Sequence, residues 1–130
     1  MIFDQPYLVI LCALALTIVV EGIAILIIKR KKEYLGYSVL VNLITNPVVN
    51  LIILIVNSIW GIWNIWFFSG DYISPYIIVL EVIVVLVEAR CYRGMTGMAM
   101  KKALGLSLVL NALSFFVGIA AEYIYWEFIW

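Results

Sequence analysis

Residues 7–32 read YLVILCALALTIVVEGIAILIIKRKK, an apolar run that is interrupted by Glu21 and ends in four basic residues. The apolar part, residues 7–28, is long enough to cross about 30 Å of hydrocarbon as a helix. The basic residues after it are typical of a stop-transfer segment, and the acidic flank before it, MIFDQPY, is not that of a cleaved signal peptide. The stretch therefore predicts a transmembrane helix that carries a glutamate.

The composition of the chain is that of an integral membrane protein. Of the 130 residues, 67% are hydrophobic and 12% are charged, and the mean hydropathy is +1.17, whereas soluble domains have about a quarter of their residues charged. Eight basic residues balance eight acidic ones, which argues against nucleic-acid binding. The chain has no histidine, the commonest metal ligand and general base. We therefore expect no metal, no cofactor and no enzyme activity.

Three further apolar runs follow the first one. They predict an all-α integral membrane protein, a bundle of four transmembrane helices. The predicted spans are 7–28, 35–58, 72–89 and 103–123. Pro75 suits the first turn of the third helix. In this division, residues 1–58 form a first helical hairpin, 59–71 an aromatic outer loop, and 72–130 a second hairpin.

The positions of the basic residues predict the orientation in the membrane. All eight Lys and Arg occur either at 29–32, after the first span, or between 90 and 102, after the third. Basic loops stay in the cytoplasm. We therefore expect a multi-pass protein of the cell (inner) membrane, with cytoplasmic basic loops and both termini outside.

The predicted outer loop is rich in tryptophan, with Trp60, Trp63 and Trp66 at a three-residue spacing. We interpret these rings as an aromatic belt at the outer membrane interface. A cage for a cationic ligand is the alternative, and it is disfavoured because Asp71 is the only acid nearby.

The two cysteines, Cys12 and Cys91, lie near opposite ends of different predicted spans. A disulfide needs its two Cα atoms within roughly 7 Å. We therefore predict that both thiols are free.

The two halves of the chain resemble one another. EGIAILIIKR (21–30) matches EVIVVLVEAR (81–90) in its Glu and Arg, and SVLVNLIT (38–45) matches SLVLNALS (107–114) in Ser-x-x-x-Asn-x-x-Ser/Thr. These residue types are scarce in this chain, so the matches indicate a duplicated hairpin. Tandem hairpins of the same orientation are expected to be related by a pseudo-two-fold axis along the membrane normal.

Polar residues from all four spans fall at a similar depth. A helix rises about 1.5 Å per residue, which places Glu21, Glu81, Asn42 and Asn111 about 12–15 Å from the cytoplasmic charges. Thr45, Asn46 and Ser114 share helical faces with these asparagines. The candidate residues for binding a proton, cation or substrate are therefore Glu21, Glu81, Asn42, Asn111, Asn46, Thr45 and Ser114.

The glutamates are the residues hardest to explain as packing. A charge at this depth costs about 3 kcal/mol on the lenient insertion scale, and no Lys, Arg or His lies within a predicted span. We expect Glu21 and Glu81 to be protonated or to hold a cation. Glu88 lies close in sequence to Arg90 and Arg93, and we expect it to form an interfacial ion pair with them.

Pro47 is expected to kink the second span, because it cannot donate a backbone hydrogen bond. The sequence leaves open whether residues 45–47 form a kink or a broken helix. Carbonyl oxygens freed in this way can coordinate a cation where they line a cavity. The asparagines and serines have a simpler alternative role, which is to hold helices together through interhelical hydrogen bonds.

Glu21 followed eight residues later by Lys29 resembles the first helix of the small multidrug resistance transporters, over about ten residues. The resemblance implies a four-helix protein whose membrane glutamate exchanges protons for cationic drugs or guanidinium compounds within a dimer. The second glutamate, the internal repeat, the Thr-Asn-Pro segment and the fixed orientation are not features of that family.

Our leading hypothesis is a small transport or permeation protein, in which Glu21 and Glu81 couple a proton or cation to the movement of a small cation or polar solute. The alternative is a non-catalytic membrane subunit that docks partner helices through its polar faces. The lipid bilayer is the expected partner under both hypotheses, and a homo-oligomer or a larger membrane complex is compatible with either.

Overall fold

The computed structural model describes residues 6–59 and 75–128, and all its regular elements within these ranges are α-helices. They are α1 (Pro6–Lys29), α2 (Lys32–Ile59), α3 (Pro75–Thr96) and α4 (Met100–Phe128). The prediction of an all-α, four-helix protein is confirmed. The predicted aromatic loop with Trp60, Trp63 and Trp66 lies outside the described residues.

Three of the helices are long and apolar enough to cross a membrane, through the segments Ile10–Lys29, Lys32–Val56 and Met100–Ala121. They support the prediction of a membrane protein. The remaining helix, α3, has 22 residues. It carries Glu81, Glu88, Arg90 and Arg93, and these charges lower its hydropathy below that of the other three.

The two short turns of the chain have the same design. α1 ends at Lys29 and α3 at Thr96, and the next residue has positive φ in both cases, 54° at Arg30 and 69° at Gly97. The amide of Arg30 donates to the carbonyl of Leu26 at 2.8 Å, and that of Gly97 to the carbonyl of Arg93 at 2.9 Å. This is a left-handed helix cap. It reverses the chain, so that α1 and α2, and α3 and α4, form antiparallel hairpins.

The helix α3 extends beyond residue 89, the predicted end of the third span. α3 continues to Thr96, because Arg90 and Arg93 are good helix formers and the stop comes at Gly97, where φ becomes positive. α2 is a continuous helix through Pro47, so residues 45–47 are not a break. Pro75 lies in the first turn of α3 as described, as predicted.

The helices form a ring. α1 packs against α2 and α4, and α3 packs against the same two helices, so α1 and α3 lie on one diagonal. The contact between α2 and α3 is the sparsest of the four. The apolar core fills the half of the bundle near the two turns. It consists of Ile25, Val41, Ala89, Tyr92, Ala103, Leu106 and Leu110. Cys12 and Cys91 are both free, as predicted.

Candidate functional site

Glu21 on α1 is completely buried, with 0% of its surface exposed. The side-chain amide of Asn42 on α2 donates to its Oε2 at 2.8 Å, and the hydroxyl of Ser114 on α4 lies 3.0 Å from its Oε1. Asn42 belongs to the same hairpin as Glu21, and Ser114 to the other. One carboxyl group therefore links three helices, and it joins the two hairpins through α1 and α4.

Glu88 on α3 is 1% exposed and has a matching set of partners. The amide of Asn111 and the hydroxyl of Ser107, both on α4, donate to its Oε2, the hydroxyl at 3.2 Å. The hydroxyl of Thr45, on α2, lies 2.9 Å from its Oε1. Glu88 thus binds an asparagine of its own hairpin and a hydroxyl of the other hairpin, as Glu21 does.

The prediction that Glu88 forms an interfacial ion pair with Arg90 and Arg93 is wrong. Because α3 extends to Thr96, Glu88 lies about 12 Å before the carboxyl-terminal end of the helix and not at that end. Residues two apart on a helix do not face each other. Arg90 and Arg93 are exposed, while the Glu88 carboxyl is held inside the bundle.

Glu81 does not occupy the place that the sequence comparison gave it. The comparison aligned it with Glu21, but Asn111 donates to Glu88, as Asn42 donates to Glu21. Glu81 lies two turns earlier on the same helix, about 10 Å along the axis, and is half-buried. It makes no hydrogen bond with any residue in the described ranges.

A cavity of about 80 Å³ borders the buried carboxyl layer. All four helices contribute to its wall, on the side away from the two turns, while the apolar core closes the other side. A water molecule needs roughly 10–15 Å³, so the cavity has room for several waters or for a solute of a few heavy atoms. Its polar lining consists of Thr17, Asn42, Thr45, Asn46, Asn50, Glu81, Glu88, Asn111 and Ser114.

The asparagine amide nitrogens around the cavity already donate hydrogen bonds. Besides its bond to Glu21, Asn42 donates to the carbonyl of Ser38 at 3.0 Å, and Asn111 donates to that of Ser107 at 2.9 Å. Asn50 donates to Oδ1 of Asn46 at 2.8 Å.

Oxygen atoms remain available in the same wall. In the described part of the chain, Oδ1 of Asn42, Asn50 and Asn111 and the carboxyl of Glu81 are left without a donor. An amide oxygen is purely an acceptor. The wall therefore suits a cation or a donor-rich solute.

Two hydroxyl groups in the layer each lie between two acceptors. Ser114 Oγ is 3.0 Å from Glu21 Oε1 and 3.1 Å from the carbonyl of Asn111. Thr45 Oγ1 is 2.9 Å from Glu88 Oε1 and 3.0 Å from the carbonyl of Val41. A hydroxyl has one proton to donate. If the carboxyl is protonated and donates to the hydroxyl oxygen, both contacts are full two-centre hydrogen bonds; if it is ionised, the two acceptors share the single hydroxyl proton.

Asn46, another predicted site residue, joins α2 to α1. Its amide donates to Thr17 Oγ1 at 3.0 Å, on the cavity side of the carboxyl layer. The predicted residues Glu21, Asn42, Thr45, Asn111 and Ser114 are also brought together, with Glu88 as the member that the sequence interpretation missed. Glu81 lines the cavity without joining their hydrogen bonds.

Two buried hydroxyls lie on the apolar side of the layer. Within the described residues, Ser38 Oγ and Tyr92 OH have no partner in good hydrogen-bonding geometry, although the two hydroxyls lie near each other and Tyr92 lies near Glu21 and Glu88. Buried polar groups are paired in most structures. This pair is therefore a point of unsatisfied hydrogen bonding directly below the two carboxyls.

Comparison of the chain with known protein families, with characterised proteins and with solved structures finds no match. A function is therefore inferred from the residues of this site.

Proposed function

We propose that the chain is a small membrane transport protein, in which a proton or cation moves together with a solute through the polar centre of the bundle. The observation that carries this proposal is the pair Glu21 and Glu88, which are 0% and 1% exposed. Glu88 borders the cavity directly, and Glu21 is held by two residues of its wall, Asn42 and Ser114. A membrane glutamate costs about 3 kcal/mol. Asparagine or serine would hold the helices together at lower cost, so packing alone does not account for two such residues.

The hydrogen bonds of the Thr45 and Ser114 hydroxyls support an exchange of protons at the carboxyls of Glu21 and Glu88. When both are neutral, Thr45 and Ser114 keep their backbone carbonyls and also bind the carboxyls. When a carboxyl loses its proton, the hydroxyl proton is drawn toward the carboxylate, and the bond from the hydroxyl to the backbone carbonyl weakens. Protonation is thereby coupled to contacts that join the two hairpins.

The free oxygen atoms of the cavity wall support a small cation or a polar N–H donor as the solute. Asn42, Asn50 and Asn111 offer amide oxygens, and Glu81 offers a carboxyl. These oxygen atoms are spread along the bundle axis, from the carboxyl layer toward the end opposite the turns. They therefore provide successive positions for such a solute. Asn46 and Thr17 narrow the same space from α2 and α1.

The proposal includes the topology expected from the sequence. All four helices cross the cell (inner) membrane, both turns lie in the cytoplasm and both termini lie outside. α3 can cross because Glu88 is buried and Glu81 lines the cavity, which is where charged residues of membrane helices are tolerated. The matched helix caps and the matched partners of Glu21 and Glu88 support two duplicated hairpins.

The alternative function, a subunit that docks partner helices, requires polar faces on the outer surface of the bundle. Among the described residues, Ser38, Asn42, Ser107 and Asn111 are buried inside this chain, and many large apolar side chains are exposed on its outer surface. The exposed Lys and Arg side chains lie at or near the two turns. The placement of the polar residues therefore favours transport.

Proton flux in proteoliposomes tests the proposed function. The purified protein is reconstituted with a pH-sensitive dye inside the vesicles, and Na⁺, K⁺, ammonium or methylammonium is added outside. We expect a dye response to at least one cation, and its loss in Glu21→Gln and in Glu88→Gln. Glu33→Gln makes the same chemical change at an exposed residue of α2 and is expected to behave as wild type.

Two outcomes would overturn the proposal. One is a wild-type protein that gives no proton flux with any of these cations. The other is a Glu88→Gln trace identical to the wild-type trace, because the carboxyl would then have no part in the flux.

The topology has its own test. In a cysteine-free background, single cysteines replace Lys31 and Gln5, and intact cells are treated with a membrane-impermeant maleimide. We expect labelling at position 5 and protection at position 31. Labelling of position 31 in intact cells would reverse the orientation.

A further inference from the structure

A groove of about 400 Å³ runs between α3 and α4 on the outer surface of the bundle. Its wall includes Val82, Leu86, Leu108 and Phe116, all of which are exposed. In a membrane this surface faces the acyl chains of the lipid. The volume lies within the range of about 300–1,000 Å³ that small-molecule sites occupy.

The groove has two polar residues in its wall, Glu81 and Asn111, and both also line the central cavity. The apolar groove and the polar cavity therefore meet at these two side chains. Glu81 has no hydrogen-bond partner in the described ranges, unlike Glu21 and Glu88, whose carboxyls are fully engaged. A half-buried acid at the edge of an apolar groove can bind a ligand without giving up an existing contact.

The chemistry of the two residues restricts the head group of such a ligand. The amide nitrogen of Asn111 already donates to Glu88 and to the carbonyl of Ser107. What remains is Oδ1 of Asn111 and the carboxyl of Glu81, which accept hydrogen bonds. A primary ammonium brings three donors and no acceptor, and an amine and a carboxyl can share one proton. A carboxylate or phosphate head would find no positive charge here, and at most one donor, the O–H of a protonated Glu81.

We propose that the groove between α3 and α4 binds a single-chain amphiphile with a primary amine head. Its hydrocarbon chain lies along the groove, and its amine is held by Glu81 and Asn111. The ligand reaches Glu81 from the bilayer, between the two helices of the second hairpin. This site goes beyond the proposed transport function and does not depend on it, because binding is measured in detergent without a gradient across a membrane.

Photolabelling of the full-length protein in an uncharged detergent tests the site. Three probes carry the same dodecyl chain with a diazirine, and they differ in the head group: a primary amine, an alcohol or a carboxylic acid. Labelled peptides are identified by mass spectrometry over a range of probe concentrations. We expect the amine probe to label residues of the groove on α3 and α4, and the other two probes to label them much more weakly.

Three variants sharpen the result. Glu81→Gln is expected to weaken labelling by the amine probe about tenfold, as befits the loss of one charge-assisted hydrogen bond, and Glu81→Asp is expected to retain part of it. Ala112→Phe fills the groove and is expected to block labelling by all three probes. Ala120→Phe adds the same ring on α4 outside the groove wall and is expected to leave labelling unchanged.

Three results would overturn the proposal. Equal labelling by the three head groups would show an apolar surface without recognition of the amine. Labelling by the amine probe that is unchanged in Glu81→Gln would remove the role of the acid. Cross-links from this groove to a second copy of the chain would show that the protein itself covers it. If Glu81→Gln fails to fold, the comparison of head groups and Ala112→Phe decide the question.

Discussion

The hydroxyl of Thr45 on α2 lies 2.9 Å from Oε1 of Glu88 on α3, and it connects the two hairpins where their packing is sparsest. The corresponding contact on the other side of the ring joins Ser114 on α4 to Glu21 on α1 at 3.0 Å. Since α2 and α3 contact each other least among the neighbouring pairs of helices, the hydroxyl–carboxyl contact has a larger share in holding these two helices together.

The first prediction concerns this contact. Thr45→Val keeps the shape of the side chain and leaves Oε1 of buried Glu88 without its partner. We expect the free energy of unfolding to fall by about 1 kcal/mol, the usual worth of such a bond in proteins and membranes. The measurement is reversible unfolding of the protein in mixed micelles. Thr45→Ser retains the hydroxyl and is expected to remain closer to wild type, so an equal loss in both variants would contradict the role of the hydroxyl.

The second prediction concerns the protonation state of Glu88, whose neighbour Thr45 has one hydroxyl proton and two acceptors within reach. Gln is similar in size to a protonated Glu, and it also has one donor group and one acceptor oxygen. Glu88→Gln is therefore expected to leave the melting temperature near or above the wild-type value. Glu88→Asp retracts the carboxyl by one methylene from Thr45, Ser107 and Asn111, and we expect it to cost about 1–3 kcal/mol. The reverse order of the two variants would mean that the site is built for an ionised carboxylate.

Sequence reasoning found the polar layer but assigned one of its acids wrongly. Asn42, Thr45, Asn111 and Ser114 were identified through helical phase and depth, and the structure joins all four to buried carboxyls. These signals are reliable because a polar side chain within a membrane helix has few places to go except the bundle interior.

The position of Glu88 was missed because the basic residues at 90 and 93 were interpreted as the end of the span. Counting back from the capped end of each helix places Glu21 and Glu88 at equivalent positions. Glu21 lies eight residues before the last residue of α1, Lys29, and Glu88 lies eight residues before the last residue of α3, Thr96. The Thr96–Gly97 pair was a usable stop signal. That the hydroxyls of Thr45 and Ser114 each lie between two acceptors could not be predicted, since no sequence pattern supplies interatomic distances.

The third prediction compares two serines at matching positions of α2 and α4. Ser107 donates to Glu88 at 3.2 Å, whereas Ser38 Oγ is buried with no hydrogen-bond partner in the part of the chain that the structure describes. Ser107→Ala is expected to lower the free energy of unfolding by about 0.5–1.5 kcal/mol, while Ser38→Ala removes an unsatisfied polar group and is expected to be neutral or stabilising. Reversible unfolding in mixed micelles measures the free energy of both variants. A loss in Ser38→Ala as large as in Ser107→Ala would show that Ser38 has a partner, such as an ordered water shared with Tyr92.

The fourth prediction concerns the close approach of α1 and α2 beside the carboxyl layer. Gly22 follows Glu21 and is buried, and a Cβ atom at this position would lie 2.9 Å from Cδ1 of Leu35. Small residues allow membrane helices to pack this closely. Gly22→Val adds two further methyl groups in the same place. Cδ1 is the movable end of the Leu35 side chain, so we expect Leu35 to change its rotamer and the melting temperature to fall modestly. Gly105 on α4 provides the matched control, because a Cβ there meets nothing within 4 Å, and Gly105→Val is expected to be tolerated. Equal melting temperatures for the two valine variants would contradict a tight contact at Gly22.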